Sequence, residues 1–218
     1  MTILLLGATG RTGTHVLIEL LQEGHIVHVV IRDRTKVLPQ LDKVKIFEGD
    51  VTNSEILHEA LLNCEYIISV LNVSRKSDFP WSKLRTPKTF LSDTILTILK
   101  VANPNTIKKI IICSAWGTNE TKLDIPSWFR WLIDNSNIGP AYKDHERQED
   151  LLMESKFNFT IVRPVGLTNS NRNQTIQETQ NNNPNLKLTI SRKSVAKFIV
   201  RQISNNLYSR QTVTISKK

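Results

Sequence analysis

A glycine-rich turn near the start of the chain has the residue types and the spacing that hold a phosphate group. Glycine recurs at every third position of the segment Gly7-Ala8-Thr9-Gly10-Arg11-Thr12-Gly13. Glycine permits a tight turn and lets backbone N–H groups approach a pyrophosphate, while a following helix N-terminus favours negative charge. The residues predicted to contact a dinucleotide are Gly7, Thr9, Gly10, Arg11, Thr12 and Gly13. A turn with a purely structural role is the alternative.

The segments on both sides of this turn favour the dinucleotide interpretation. The apolar run Thr2–Leu6 predicts a strand, and His15–Gln22 carries apolar residues at helical spacing. The β-branched run Ile26–Ile31 then completes a strand–helix–strand unit. A lone glycine triplet is a weak signal, whereas a triplet between a strand and an amphipathic helix is typical of dinucleotide-binding domains.

The residues at the end of the second predicted strand bear on which dinucleotide is bound. An acidic residue there would accept hydrogen bonds from a ribose 2′-hydroxyl, whereas a guanidinium suits a 2′-phosphate. Arg32 stands at this point, and Arg11 in the turn is a second candidate, so we predict NADP(H) in preference to NAD(H). Asp33 follows directly and could face a ribose instead, and Arg32 could simply pair with Asp33 or Asp50.

Together with the Gly-x-x-Gly-x-x-Gly turn, four further segments carry a resemblance to a known superfamily. They are Val30-Ile31-Arg32-Asp33, Gly49-Asp50-Val51, Cys113-Ser114-Ala115 and Ile161-Val162-Arg163-Pro164-Val165-Gly166. In these segments the chain resembles the short-chain dehydrogenase/reductase superfamily. It looks closest to the atypical branch of NmrA-like proteins and of flavin and biliverdin-IXβ reductases, and the resemblance covers nearly the whole chain.

The resemblance implies the rest of the cofactor site. Asp50 and Val51 would flank the adenine, and Val70, Leu71 and Asn72 would line the ribose and pyrophosphate path. Ser114 and Pro164, which close the fifth and sixth strands, would complete the cofactor-binding set.

Three residues are candidates for catalysis. Ser114 fits the position of the superfamily's serine, and Tyr142 begins the following helix. Glu146 stands four residues after Tyr142, where the superfamily has a lysine, which puts ordinary alcohol dehydrogenase chemistry in doubt. His145 falls where many relatives have lysine, and an imidazole can donate a hydrogen bond or a proton. A polar residue without a chemical role is the alternative for His145.

Aromatic residues suggest how a planar substrate would be held. All four tryptophans fall within residues 81–131, where they are predicted to wall a stacking pocket with Phe79 and Phe129. These tryptophans are Trp81, Trp116, Trp128 and Trp131, and the last three are the predicted substrate contacts. The run Trp128-Phe129-Arg130-Trp131 also has the spacing of a helix face that packs on the core, and that alternative stays open.

The order of elements predicts an α/β fold in which residues 1–218 form a single domain with a doubly wound parallel sheet, Rossmann-like and flanked by helices. Further strands are predicted over Val44–Phe47, Tyr66–Val70, Ile107–Cys113, Phe157–Arg163 and Thr212–Ile215, and further helices over Ser54–Leu62, Thr89–Ala102, Tyr142–Glu154 and Ser194–Ser204. Residues 114–140 lack sustained periodicity and are expected to form a lid or substrate loop. The polar tract 168–185 is expected to be a mobile surface excursion.

Composition excludes several classes. No stretch approaches the ~18 consecutive apolar residues of a membrane span, and the two cysteines have neither disulfide-framework nor metal-site spacing, so we expect a cytoplasmic protein with no metal. The net charge of +9 favours anionic partners, but the basic residues are dispersed, and no nucleic-acid or membrane role is expected. A monomer or a homodimer is expected.

These features favour an NADPH-dependent reductase of flavins, quinones or similar conjugated acceptors. A non-catalytic NmrA-like sensor of the NADP(H) pool, acting through a protein partner, is the alternative that the missing lysine leaves open. Isomerisation or epimerisation of a nucleotide sugar is disfavoured, because the tyrosine–lysine pair of that chemistry is missing.

Overall fold

The computed structural model describes residues 1–33, 44–180 and 186–218. Its strands are β1 Thr2–Leu6, β2 Ile26–Ile31, β3 Val44–Glu48, β4 Tyr66–Ser69, β5 Lys109–Cys113, β6 Phe159–Pro164, β7 Gly166–Thr168, β8 Ile176–Thr179, β9 Thr189–Ser191 and β10 Gln211–Lys217. Its helices are α1 Gly13–Gln22, α2 Ser54–Leu61, α3 Phe90–Val101, α4 Ser127–Asp134, α5 Gly139–Glu154 and α6 Arg192–Arg201, with a 3₁₀ helix over Asn119–Leu123.

In the described ranges, one eight-stranded sheet runs in the order β3-β2-β1-β4-β5-β6-β10-β8. Its strands are parallel except for β8, which pairs antiparallel with β10 at one edge. The order of connection reverses between β1 and β4, which is the switch point where doubly wound sheets bind ligands. The predicted single-domain Rossmann-like fold class is confirmed.

Both faces of the sheet are covered, which explains why its strands are continuous apolar runs. Along β1, Ile3 and Leu5 belong to the core beneath α1 and α6, whereas Leu4 and Leu6 belong to the core beneath α2, α3 and α5. Side chains that alternate along a strand point to opposite faces, so β1 contributes to both cores. The apolar pattern of β1 therefore reflects its central place in the sheet.

A buried carboxylate joins two helices on the second face. Asp144 of α5 is fully buried and accepts hydrogen bonds from Leu91 N at 2.6 Å and from Ser92 Oγ at 2.6 Å. It thereby satisfies N–H groups at the start of α3, whose own N-cap residue Thr89 makes no side-chain cap bond. This contact fixes α5, which carries two of the predicted catalytic residues, against α3.

The two segments expected to be irregular contain regular structure. Residues 114–140 hold the 3₁₀ helix and α4, and α5 begins at Gly139, with Pro140 in its first turn, rather than at Tyr142. Within the tract 168–185, residues 176–179 form the edge strand β8, and residues 181–185 lie outside the described range. The 3₁₀ helix, α4 and β8 are short and gain their stability from tertiary packing, which the periodicity of the local sequence does not show. The roles of lid and mobile excursion stay predictions.

Among the helices of the described ranges, none combines the length and the apolar character needed to cross a lipid bilayer.

Candidate functional site

A cavity of about 810 Å³ opens at the carboxyl ends of the parallel strands. This volume lies within the range of small-molecule and cofactor sites. The segments that follow β1 to β6 all contribute to its wall. The predicted site residues that line it are Gly7, Thr9, Gly10, Arg11, Thr12, Arg32, Val51, Val70, Leu71, Asn72, Ser114, Trp116, Tyr142, His145 and Pro164.

The glycine turn has no room for larger residues. Gly7 has φ of +88°, and a Cβ on it would lie 3.1 Å from the carbonyl of Val70. A Cβ on Gly13 would lie 1.9 Å from Gly7 O, so Gly13 allows α1 to pack against the turn without itself lining the cavity. Thr12, the N-cap of α1, makes no side-chain cap bond, unlike Asn53 before α2. No Thr12 side-chain cap therefore occupies the start of α1 beside this turn, and this helix end suits a pyrophosphate.

At one end of the cavity lie residues that follow β2 and β3. Arg32 is exposed and lines the cavity together with Gly49 and Val51. Asp50 does not line it; its Oδ1 accepts hydrogen bonds from Thr52 N at 2.9 Å and Thr52 Oγ1 at 2.7 Å. The carboxylate of Asp50 thus stabilises its own loop, and Val51 is the resemblance-derived adenine contact that faces the cavity.

Arg11 lines the same cavity as Arg32 and is paired with a carboxylate. Its guanidinium donates two hydrogen bonds to Asp78, at 2.9 Å and 2.8 Å, across the mouth of the cavity. These bonds hold the pKa of Asp78 below its usual value. Because both side chains are exposed, the pair is weak enough to open, and a contact between Arg11 and a 2′-phosphate stays a prediction.

Two residues that line the other end of the cavity carry buried donors. Ser114 follows β5, and neither its Oγ nor Nε1 of Trp116 has a hydrogen-bond partner within the described part of the chain. A buried polar atom without a partner costs about 1–3 kcal/mol, so such atoms in a cavity indicate a ligand that pairs with them. This end of the cavity fits the polar edge of a bound cofactor or substrate.

Tyr142 closes the apolar wall of this end. Its ring meets Phe129 edge-on, with centroids 6.2 Å apart, and its hydroxyl donates a hydrogen bond to Trp116 O at 3.3 Å. Burial raises the pKa of Tyr142, so the hydroxyl stays protonated at neutral pH. The superfamily's lysine is replaced by Glu146 here, so Tyr142 lacks the cation that activates the superfamily's usual acid.

His145 is buried one turn further along α5. Gln148 Nε2 lies 2.6 Å from its Nδ1, and since an amide nitrogen only donates, the neutral ring carries its proton on Nε2. Burial lowers the pKa of His145 to about 4, although Asp144 acts in the opposite direction. At neutral pH, His145 is therefore a hydrogen-bond donor without charge.

A buried ion-pair network supports the segment after β5. Arg163 of β6 bonds to Glu149 of α5 and to Glu120 of the 3₁₀ helix. Burial alone would lower the pKa of Arg163, but these hydrogen bonds raise it above its usual value. Glu149 also accepts hydrogen bonds from Thr118 Oγ1 at 3.1 Å and Asn119 Nδ2 at 2.8 Å. The network fixes the loop that carries Trp116.

The tryptophans predicted to form one pocket are separated. Trp116 is buried in the cavity wall, whereas Trp128 and Trp131 are 62% and 60% exposed and do not line the cavity. Phe129 is the residue of α4 that does. The apolar face of α4 turns inward at Phe129 and Ile133, so the helical spacing of the aromatic run placed the two tryptophans on the outer face.

Sequence reasoning missed several residues of the cavity wall. Arg75, Asp78 and Thr86 come from the long segment between β4 and α3, and Arg192 is the first residue of α6. The length of that segment was the available signal, because long loops of compact domains often carry function.

The parallel sheet, its switch point and the glycine turn together define a protein of the Rossmann type. A family model described as NAD(P)H-binding matches residues 7–206, and the chain belongs to this NAD(P)H-binding family.

Individual relatives agree with this assignment. The oxidoreductase nsrR of Aspergillus novofumigatus is 30% identical over 196 residues, which cover 84% of this chain and 73% of that protein. A short-chain dehydrogenase/reductase of Veillonella parvula, solved in complex with NADP, superposes with a TM-score of 0.79 at 20% identity and covers 99% of this chain and 94% of its own. ChuY, an anaerobillin reductase from Escherichia coli O157:H7, has a TM-score of 0.79 at 20% identity, with coverage of 100% and 97%.

Proposed function

We propose that the protein is an NADPH-dependent reductase of flavins, quinones or similar conjugated acceptors. The observation that carries the proposal is the pair of buried donors Ser114 Oγ and Trp116 Nε1, which belong to cavity-lining residues, have no hydrogen-bond partner among the described residues and accompany the aromatic wall of Phe129 and Tyr142. A conjugated acceptor has a flat apolar face and carbonyl or ring-nitrogen acceptors at its edge. Such a wall with donors at its border suits both parts.

Each group of cavity residues has a separate role. When bound, NADPH supplies the hydride. The glycine turn and the start of α1 hold the pyrophosphate, and Arg32 offers a guanidinium to the 2′-phosphate. Ser114 and Trp116 donate hydrogen bonds to the acceptor's edge, where negative charge develops as the hydride is transferred.

The proton that completes the reduction comes from solvent. The titratable cavity residues His145 and Tyr142 are neutral at pH 7: a pKa of about 4 leaves the imidazole of His145 deprotonated, and the raised pKa of Tyr142 leaves its phenol protonated. A neutral imidazole or phenol is a weak acid at pH 7. A reduced flavin or quinone oxygen can instead take its proton from water at the open mouth.

The enzyme is favoured over the non-catalytic sensor by its relatives. Both nsrR and ChuY are named for redox activity, as an oxidoreductase and as a reductase. The proposed preference for NADPH over NADH rests on Arg32. The complex of the Veillonella parvula protein with NADP accords with that preference.

Steady-state oxidation of NADPH and NADH, measured with FMN, a naphthoquinone and a linear tetrapyrrole, tests the proposal. We expect at least one acceptor to stimulate NADPH oxidation, and Ser114→Ala to lower kcat by about tenfold or more. Ser127→Ala, an exposed serine at the start of α4, serves as the matched control. Tight NADP⁺ binding with no turnover of any acceptor would point to the sensor and would sink the reductase.

A further inference from the structure

The buried face of α5 carries polar residues that each have a partner, and Gln148 is the one whose partner is a cavity residue. Asp144 bonds to the start of α3, and Glu149 bonds to Arg163 of β6. Gln148 is 2% exposed, does not line the cavity, and bonds to His145, which does. Burying an amide costs free energy that burying an apolar side chain would not. A glutamine at this position therefore calls for a role that acts through His145.

The bond between Gln148 and His145 fixes which ring nitrogen carries the proton. Gln148 Nε2 donates to His145 Nδ1 at 2.6 Å from the next turn of the same helix. A neutral imidazole has one N–H, so a donor at Nδ1 leaves the proton on Nε2. In the described part of the chain, no second group bonds to this ring. Because His145 lines the cavity, its Nε2–H is left for a bound molecule.

The carboxylate nearest in sequence does not compete for the ring. Asp144 is the charged group that acts on the pKa of His145, against the larger effect of burial. Its oxygens accept hydrogen bonds from Leu91 N and Ser92 Oγ at the start of α3, and Arg147 Nε lies 3.7 Å away. Within the described ranges, no carboxylate bonds to His145. The position of the imidazole proton therefore depends on the amide of residue 148.

We propose that Gln148 is a positioning residue: it holds His145 in the form with Nε2–H, so that the cavity wall offers an uncharged donor to an oxygen of the bound cofactor or acceptor. This inference rests on the proposed function and adds a residue that itself touches neither molecule. A lysine would donate in any rotamer, whereas histidine donates through Nε2 in one neutral tautomer only. A ribose hydroxyl and the carbonyl of a conjugated acceptor present the same kind of oxygen, and the experiment separates these two sources.

NMR of protein labelled with ¹⁵N-histidine reports the tautomer directly, because a protonated and a bare ring nitrogen differ in chemical shift. The chain has five histidines, and His145→Gln identifies the signals of His145 by their loss. At pH 8 we expect a protonated Nε2 and a bare Nδ1. In Gln148→Glu the carboxylate accepts, so Nδ1 should carry the proton. A proton on Nδ1 in the unaltered protein, or an unchanged pattern in Gln148→Glu, overturns the inference.

Binding and turnover are measured for the same proteins at pH 8. Loss of the Nε2 donor in Gln148→Glu should weaken the molecule that it contacts by about tenfold. A higher Kd of NADP⁺ assigns the donor to the cofactor, whereas a higher KM of the acceptor with an unchanged Kd of NADP⁺ assigns it to the acceptor. Gln22→Glu adds the same charge at the exposed end of α1 and should change neither. If Gln148→Glu also changes neither, the inference is overturned.

A double-mutant cycle distinguishes this role from packing. The amide of His145→Gln donates without any choice of tautomer, so it needs no support from residue 148. The loss caused by Gln148→Glu should therefore shrink from about tenfold to within about twofold in the His145→Gln background. Equal losses in both backgrounds would show that Gln148 acts through packing. If Gln148→Glu does not fold, the NMR spectrum of the unaltered protein still decides for or against the inference.

The outcomes for the two proposals are distinct. If Gln148→Glu moves the proton of His145 and weakens NADP⁺ but no acceptor is reduced, the positioning role stands and the reductase function fails. If acceptors are reduced by a protein whose His145 carries its proton on Nδ1, the function stands and the positioning role fails.

Discussion

At the scale of single residues, burial decides the protonation states in the cavity. His145 and Tyr142 are the residues a sequence comparison would choose as acids, yet the fold keeps one imidazole deprotonated and one phenol protonated near pH 7. Both groups therefore position hydrogen bonds without changing charge. Ser114 and Trp116 need no titration at all, since a hydroxyl and an indole N–H donate at every pH of interest.

The low pKa of His145 predicts a specific dependence of stability on pH. The unfolded chain takes up a proton near pH 6.5, whereas the folded protein does so only near pH 4, so the free energy of unfolding falls as the pH drops through this window. His145→Gln should reduce this fall by about 2 kcal/mol between pH 7 and pH 4.5. Urea unfolding at the two pH values measures it, and the exposed His58→Gln is the control. Equal pH dependence of His145→Gln and the unaltered protein would contradict the burial argument.

At the scale of elements, the proposed cofactor site rests on the crossover from β1 to α1. The strand, the turn and the helix start are in direct contact, because Gly10 N donates to Gly7 O at 2.9 Å and Gly13 leaves no space for a side chain against the same carbonyl. A helix that packs this closely directs its first N–H groups at the turn. We therefore expect phosphate binding to depend on the fit between two elements more than on any single side chain.

Gly13→Ala should break that fit. Its Cβ would lie 1.9 Å from Gly7 O, so α1 or the turn must shift, and we expect NADP⁺ binding to weaken by about tenfold or more. Gly24→Ala is the control: its φ is +78° and its surroundings are open, so it should cost about 1 kcal/mol of stability with binding unchanged. Thermal unfolding of each variant is measured with and without NADP⁺ at 100 times the Kd of the unaltered protein. At this concentration, NADP⁺ stabilises the unaltered protein by about 2.7 kcal/mol, and weaker binding by Gly13→Ala appears as a smaller stabilisation. Full stabilisation of Gly13→Ala by NADP⁺ would show that the turn is not the phosphate site.

At the scale of the whole molecule, buried polar contacts tie the cavity wall to the sheet. Arg163, Glu149 and Glu120 join β6, α5 and the 3₁₀ helix, which are separated along the chain. Burial of the two partners Arg163 and Glu149 is nearly complete. A buried ion pair of this kind adds little over an apolar replacement, but it strongly penalises the loss of one partner.

This asymmetry predicts the outcome of a double-mutant cycle. Arg163→Met leaves Glu149 buried without its cation and should cost about 3–5 kcal/mol, whereas Arg163→Met combined with Glu149→Leu should cost less than Arg163→Met alone. Arg201→Met breaks the more exposed pair with Glu178 and should cost about 1 kcal/mol or less. Urea unfolding of the unaltered protein, of Arg163→Met, of Glu149→Leu and of the double variant measures the cycle. A double variant at least as unstable as the sum of its single variants would rule out the coupling.

Local pattern determined much of this molecule. The alternation of apolar strands and amphipathic helices predicted the parallel Rossmann-like sheet, and the glycine spacing predicted the turn that the family match supports. Ser114 after β5 lines the cavity, and the absent lysine puts the usual tyrosine chemistry in doubt. The fold class was predictable because burial within one element, and the backbone freedom of glycine, leave their record over a few neighbouring residues.

Tertiary structure alone decided the rest. Arg11 and Asp78 are 67 positions apart, and only the folded chain brings their side chains together. The same holds for Arg75 and Arg192 at one cavity wall, for the burial of His145, and for the outward direction of Trp128 and Trp131. Local sequence records which face of an element is apolar, but which loops converge above the sheet depends on how all of the elements pack, and contacts between distant segments leave no periodic trace along the chain.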